Sequence, residues 1–256
     1  MPVDNSWEDQ GGSGVPGGPG GGPDGWERLA PGVARRRLPF LDVTIGVVVG
    51  TDGVLVVDTG STVREGELLS RQVRELTGRE ATGVVLTHAH FDHVLGTAAF
   101  RPHVRVYADR ALDGVLERER DDLRETAVRL GVDPGEAAEA VAALVRPHVL
   151  VDGRHDLDLG GREVRLVTVG PGHTGHDLAV VVPGTPTVVF CGDLVEESGD
   201  PQAGPDAVPD AWPGALDRLL ELGGETAVYV PGHGSCVDAR FVREQRDVLA
   251  RRFGVA

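Results

Sequence analysis

The sequence predicts an α/β fold in which two β-sheets pack face to face and helices cover both outer faces. Short β-branched runs alternate with longer helical patterns, and the strand runs fall into two groups, each accompanied by its own helices. Several of these runs end abruptly in His or Asp, at the strand ends where sites tend to sit.

Residues 1–25, including GGSGVPGGPGGGPDG, carry almost no apolar side chains and read as a disordered tail ahead of one domain over 26–256. Val43 to Val49 and Val54 to Asp58 read as paired strands around Gly50-Thr51-Asp52-Gly53, where Asp-Gly supplies the hairpin turn. Ser61 to Leu76 reads as a helix, with Leu68, Leu69, Val73 and Leu76 at helical spacing. Gly83 to Leu86 and Val104 to Tyr107 are expected as buried strands. From about 110 to 146 the pattern is a mostly helical insert, broken at Gly131-Val132-Asp133-Pro134-Gly135, with Asp133 placed to cap the next helix. Such an insert above a rim of strand ends is where substrate contacts or a lid are expected. Strands follow at Arg162 to Val169, Leu178 to Val182 and Thr187 to Phe190, and helices at Pro213 to Glu221 and Ala239 to Arg251 bracket a last strand, Ala227 to Val230.

Composition narrows the function. The 256 residues are 40% apolar and 25% charged, enough for one large buried core. Twenty-five basic residues, all arginine, face 40 acidic ones, and a net charge of −15 repels phosphate backbones, so no nucleic-acid partner is expected. No apolar run approaches the roughly 20 residues of a spanning helix, so no membrane segment is expected either. Two cysteines, Cys191 and Cys236, make no disulfide framework, and the first residues lack the basic and apolar regions of a signal peptide, which points to the cytoplasm.

One segment outweighs the rest: Thr87-His88-Ala89-His90-Phe91-Asp92-His93, directly after the apolar run Val84-Val85-Leu86. His88 and His90, two apart on extended chain, project to one side and can share a cation; Asp92 and His93 follow where the chain can turn into a helix and can face a second one. Further strand ends carry Gly172-His173, with His176 three residues on, then Gly192-Asp193 and Gly232-His233. Imidazole and carboxylate donors without thiolate favour zinc, and iron or manganese would accept the same set. Cys191 reads as a strand-end core residue, and His103, His148 and His155 as structural. His176 reads either as a substrate contact or donor behind the ligands, or as a solvent-facing loop histidine; the run Arg35-Arg36-Arg37 reads as a solvated edge.

Together with Val57-Asp58-Thr59-Gly60, these motifs agree in order and spacing with the metallo-β-lactamase-fold hydrolase superfamily, which the chain resembles from about Val43 to Arg251. The resemblance implies an αββα sandwich of two mixed sheets with metals on loops at one edge. It implies that His88, His90 and His173 hold a first metal, that Asp92, His93 and His233 hold a second, and that Asp193 bridges them. Asp58 would stand behind an imidazole and orient it. A bridging carboxylate and a histidine at 93 resemble the glyoxalase II and lactonase branch; many β-lactamases have a thiolate at the Asp193 position or lack the bridge. Glyoxalase II carries a long C-terminal helical extension for glutathione, whereas 23 residues follow His233 here, so its substrate is not implied.

The expectation is therefore a hydrolase with two zinc ions per chain, acting on a small ester, thioester or lactone through a hydroxide shared by the metals, with Asp92 and Asp193 as catalytic residues. An alternative on the same fold is an oxidoreductase with one iron, like the persulfide dioxygenases, which share the first metal site. A metal-binding module without catalysis is the third reading. The identity of the metal separates the first two.

Overall fold

Seven strands form the first sheet in chain order: β1 (Trp26–Ala30), β2 (Val33–Arg37), β3 (Thr44–Val49), β4 (Val54–Val57), β5 (Gly83–Val85), β6 (Arg105–Asp109) and β7 (Val149–Val151). Pairing is antiparallel from β1 to β4 and parallel from β4 to β7. The second sheet contains β8 (Arg154–Asp158), β9 (Glu163–Thr168), β10 (Leu178–Val182), β11 (Val188–Glu196) and β12 (Val228–His233), in the order β12-β11-β10-β9-β8. There β11 and β12 run parallel and the rest antiparallel, so both sheets are mixed. This computed structural model describes residues 25–100, 102 and 104–255. The expected tail, apart from Gly25, and the structural role expected for His103 lie outside these residues.

Side-chain alternation along the strands makes the layers. In β4, Leu55 and Val57 enter the core between the sheets while Val54 and Val56 enter the core beneath the first helical layer. In β10, Leu178, Val180 and Val182 face the first sheet, and Ala179 and Val181 face the second helical layer. A Cβ on Gly46 of β3 would lie 2.5 Å from the ring of Phe190 on β11, so the glycine is the space that the opposing aromatic fills.

Helices α1 (Val63–Thr77), α2 (Phe91–Val94), α3 (Leu112–Arg118), α4 (Arg120–Leu130) and α5 (Pro134–Ala142) cover the first sheet; α6 (Trp212–Gly223) and α7 (Ala239–Phe253) cover the second. Thr62 caps α1 by accepting from the Glu65 amide at 3.1 Å, and Gly78 ends it at φ 70°. Within the insert, Gly131 ends α4 at φ 115° and Asp133 caps α5 through the amides of Gly135 and Glu136, which is the break the sequence predicts.

Three details differ from the sequence reading. The strands β1, β2, β7 and β8 are additional to it. Arg35 is no solvated edge: it is 3% exposed, pairs with Glu27 at 2.7 Å and donates to the Gly234 carbonyl at 2.8 Å. His176 is no solvent-facing loop residue either, being buried. Among the described residues no helix is long and apolar enough to cross a membrane.

Candidate metal centre

The parallel pairs β4/β5 and β11/β12 deliver chain ends to one edge of the sandwich. Just past β4, Asp58 sits at φ 61°, a left-handed conformation that Asp tolerates better than most residues. It accepts from the Thr87 amide at 2.9 Å and the Thr87 hydroxyl at 2.8 Å, and its Oδ2 lies 2.9 Å from His93 Nδ1. Thr87 thus fixes the segment that carries His88 and His90. His90 is still extended, at φ −74° and ψ 148°, and α2 begins immediately after it, so the chain turns into a helix between the two halves of the motif.

Seven side chains meet there. His88, His90, His173 and Asp193 form one group, and Asp92, His93 and His233 a second, with the ligand atoms of each group within 4.8 Å of one another. Asp193 lies between them: its Oδ2 is 3.6 Å from His88 Nε2 and His173 Nε2 and 3.2 Å from His233 Nε2, and its Oδ1 is 3.2 Å from His93 Nε2. Asp92 Oδ2 stands 3.4 Å from His233 Nε2 and 3.8 Å from His93 Nε2. The glycine of Gly232-His233 has a physical reason, since a Cβ at 232 would fall 1.8 Å from Asp193 Oδ1.

Every histidine of the seven has a partner on its outward nitrogen. His93 Nδ1 faces Asp58; His88 Nδ1 donates to the Thr87 hydroxyl at 3.0 Å, whose own proton goes to Asp58. His173 Nδ1 donates to the Gln202 carbonyl at 3.1 Å and His233 Nδ1 to the Leu41 carbonyl at 2.7 Å. His90 Nε2 donates to Asp206 Oδ2 at 3.0 Å. These bonds set the tautomers and aim five lone pairs inward.

The donor set fits a divalent cation. His88 Nε2, His93 Nε2 and Asp193 Oδ1 are buried with no hydrogen-bond partner among the described residues, and the inward nitrogens of His90 and His173 stand only 3.0 Å apart. Two lone pairs at that distance need a proton or a metal cation between them. Burial, reinforced by neighbouring imidazoles, lowers the pKa of His88 well below the usual histidine value and that of His173 to about 3, which keeps both rings neutral as ligands require. In the second group burial opposes protonation, but Asp193 and Asp92 overcome it: the pKa of His93 is well raised and that of His233 is pushed up to about 10. The buried carboxylates at 58 and 92, and the one at 193, whose side chain is 10% exposed, thus demand compensating positive charge.

Of the other sequence candidates, Cys191 is a core residue of the second helical layer, its thiol donating to the Val189 carbonyl and its pKa raised by burial. His176 hydrogen-bonds through Nδ1 to the Thr174 hydroxyl and to none of the seven clustered residues, and burial lowers its pKa to about 4. His148 accepts from the Val106 amide, and His155 packs against the Tyr107 ring. The outer partners Asp206, Gln202 and Leu41 escape the sequence reading, because two act through backbone carbonyls and Asp206 lies in an irregular loop 116 residues from His90. Asp206→Ala is expected to weaken metal binding by the first group about 10- to 100-fold, read by competition with a chromogenic chelator, with the circular dichroism spectrum unchanged.

Five of the seven, His90, Asp92, His173, Asp193 and His233, line a cleft of about 880 Å³ whose walls also include α4 and the loop carrying Asp200 to Asp206. Known proteins resemble this chain in sequence and in fold. A family model described as the metallo-beta-lactamase superfamily matches residues 38–233. The chain is 31% identical over 161 residues to metallo-beta-lactamase domain-containing protein 1 of Xenopus laevis, covering 62% of this chain and 57% of that protein. It is 25% identical over 193 residues to a hydroxyacylglutathione hydrolase of Chromohalobacter salexigens, covering 75% and 62%. The match therefore spans less than two thirds of either relative. A metallo-beta-lactamase structure from Pontibacter korlensis superposes with a TM-score of 0.67 at 21% identity, over 88% of this chain and 97% of that one, and one from Hirschia baltica with 0.65 at 15%, over 88% and 96%. These structures share the fold, the family model spans every one of the seven clustered residues, and the chain belongs to the metallo-beta-lactamase superfamily.

Proposed function

We propose that this protein is a hydrolase with two zinc ions per chain, acting on a small ester, thioester or lactone. The observation that carries the proposal is Asp193, a single carboxylate within 3.6 Å of inward nitrogens from both histidine groups. In this reading His88, His90, His173 and Asp193 hold one ion, and Asp92, His93, His233 and the same Asp193 hold the other. Zinc ions so held supply Lewis acidity toward a carbonyl oxygen and lower the pKa of water.

The chain's own residues supply the rest. The Asp92 carboxylate lines the cleft and serves as the proton carrier, accepting from the attacking water at the oxygen it does not turn toward His93 and His233 and returning the proton to the leaving group. The outward hydrogen bonds hold the five imidazoles in place, so that little reorganisation accompanies reaction. No side-chain nucleophile is invoked. Of the nearby hydroxyl and thiol groups, Ser198 donates to Glu196 at 2.7 Å and Cys191 is buried with a raised pKa.

The deciding measurement is elemental analysis of protein purified without added metal or chelator, paired with turnover of an ester, thioester and lactone panel. About two zinc ions per chain, activity lost on dialysis against chelator and regained with zinc are expected. About one iron ion per chain with no hydrolysis would overturn the reading in favour of an iron oxidoreductase.

A further inference from the structure

The cleft above the metal centre has a charge pattern that the ligands themselves do not require. Beyond Asp92 and Asp193 at its floor, it is lined among the described residues by five carboxylates, Glu119, Asp122, Glu196, Asp200 and Asp206, against one guanidinium, Arg129. Two of the five are engaged, Asp206 with His90 and Glu196 with the Ser198 amide and hydroxyl. Among the described residues Glu119, Asp122 and Asp200 form no ion pair, although Arg118 lies close enough to act on Glu119, and burial together with the nearby Asp206 raises the Glu119 pKa. Arg129, at the end of α4, makes a long hydrogen bond of 3.4 Å to the Thr126 hydroxyl. The cleft is nonetheless a built site, since Asp193, which lines it, has a side chain only 10% exposed and an Oδ1 without a hydrogen-bond partner among the described residues.

Walls of one sign focus the field inside a cleft, and a guest feels that field more strongly than it would on an open surface. Glu119 and Asp122 stand on the α4 side and Asp200 on the loop facing it, so a substrate seated with its carbonyl at the floor leads its distal end out between carboxylates. Resting on the hydrolase reading above, we infer that the substrate carries a neutral or cationic distal group, and that the rim rejects acyl or leaving groups bearing carboxylate or phosphate. Asp122 and Asp200 are its specificity-determining residues, with Arg129 the one opposing charge.

The test uses the zinc-loaded full chain and two short hydroxamates that differ only in the tail, one ending in trimethylammonium and the other in carboxylate. Isothermal titration is expected to show the cationic tail binding about tenfold more tightly at low ionic strength, with the gap narrowing as salt screens the rim. The Asp122→Asn/Asp200→Asn double variant is expected to bring the ratio toward one, and Arg129→Ala to widen it. A carboxylate tail bound as tightly as the cationic one, a ratio unmoved by the double variant, or binding of neither probe overturns the inference. Matched esters with the same two tails, and one with a neutral tail, are assayed in parallel. Failure to hydrolyse any of them while the hydroxamate preference persists sinks the hydrolase reading and leaves the rim as inferred.

Discussion

Replacing Asp193 with Ala is expected to empty both halves of the metal centre at once and to lower turnover by more than about 100-fold, since even the outer hydrogen-bond partners of metal ligands are worth about 10- to 100-fold in affinity or activity. The reason is position. Its two oxygens lie 3.2 Å from His93 and His233 and 3.6 Å from His88 and His173, so no other side chain of the cluster faces both groups this way. Removing it also takes away the carboxylate that opposes burial at His93 and His233 most strongly. Asp193→Asn separates shape from charge: the amide fills the same space beside Gly232 but brings no negative charge, so it too is expected to lose metal. Elemental analysis of both variants beside the wild type, together with ester turnover, checks the result. Retention of the full metal complement with undiminished activity would show that the two groups do not share this carboxylate.

The inner residues of this centre were legible in the sequence because each ends an apolar run in a polar residue of ligand type. His88 to His93 form one local motif, and Asp193 and His233 each follow a glycine after a β-branched run, although β11 continues through Asp193 to Glu196 instead of ending there. The fold was legible through the same runs, whose alternation is the alternation between core layers. What escaped were elements whose signal is weak for a physical reason. The β8 strand, RHDLD, is an edge strand exposed along one face and reads as a charged loop. The β2 strand, VARRR, reads as solvent-facing until Glu27 and the Gly234 carbonyl, the latter 199 residues away, account for the buried Arg35. The outer shell escaped for a related reason, because the Leu41 and Gln202 carbonyls are backbone groups that any residue could supply. At Leu41 the signal is conformational, since Leu41 and Asp42 both adopt positive φ, at 55° and 60°, and turn the carbonyl toward His233.

Asp58 offers a test that separates stability from metal binding. It is 2% exposed and accepts from three donors, the amide and hydroxyl of Thr87 and Nδ1 of His93. Asp58→Ala leaves these buried groups unpaired at a cost of about 1–3 kcal/mol each. It also places a residue with no local polar group in a left-handed conformation, at about 1–2 kcal/mol. A drop in Tm of at least about 10 °C is expected for a chain of this size, read by differential scanning calorimetry. Asp58→Asn is expected to behave differently. Asparagine tolerates the left-handed backbone, and its oxygen still accepts from the Thr87 amide, so most of the Tm is kept. Its NH2 group, however, then meets the Thr87 hydroxyl and His93 Nδ1, where it opposes a donor with a donor. The His93 proton must move to Nε2, the nitrogen that faces Asp193 and the second group. Metal affinity of that group is therefore expected to fall about 10- to 100-fold in Asn while the protein stays folded. Chelator competition on the folded Asn variant decides the matter: wild-type affinity there would mean that the Asp58 carboxylate supports the fold and does nothing to hold the His93 tautomer.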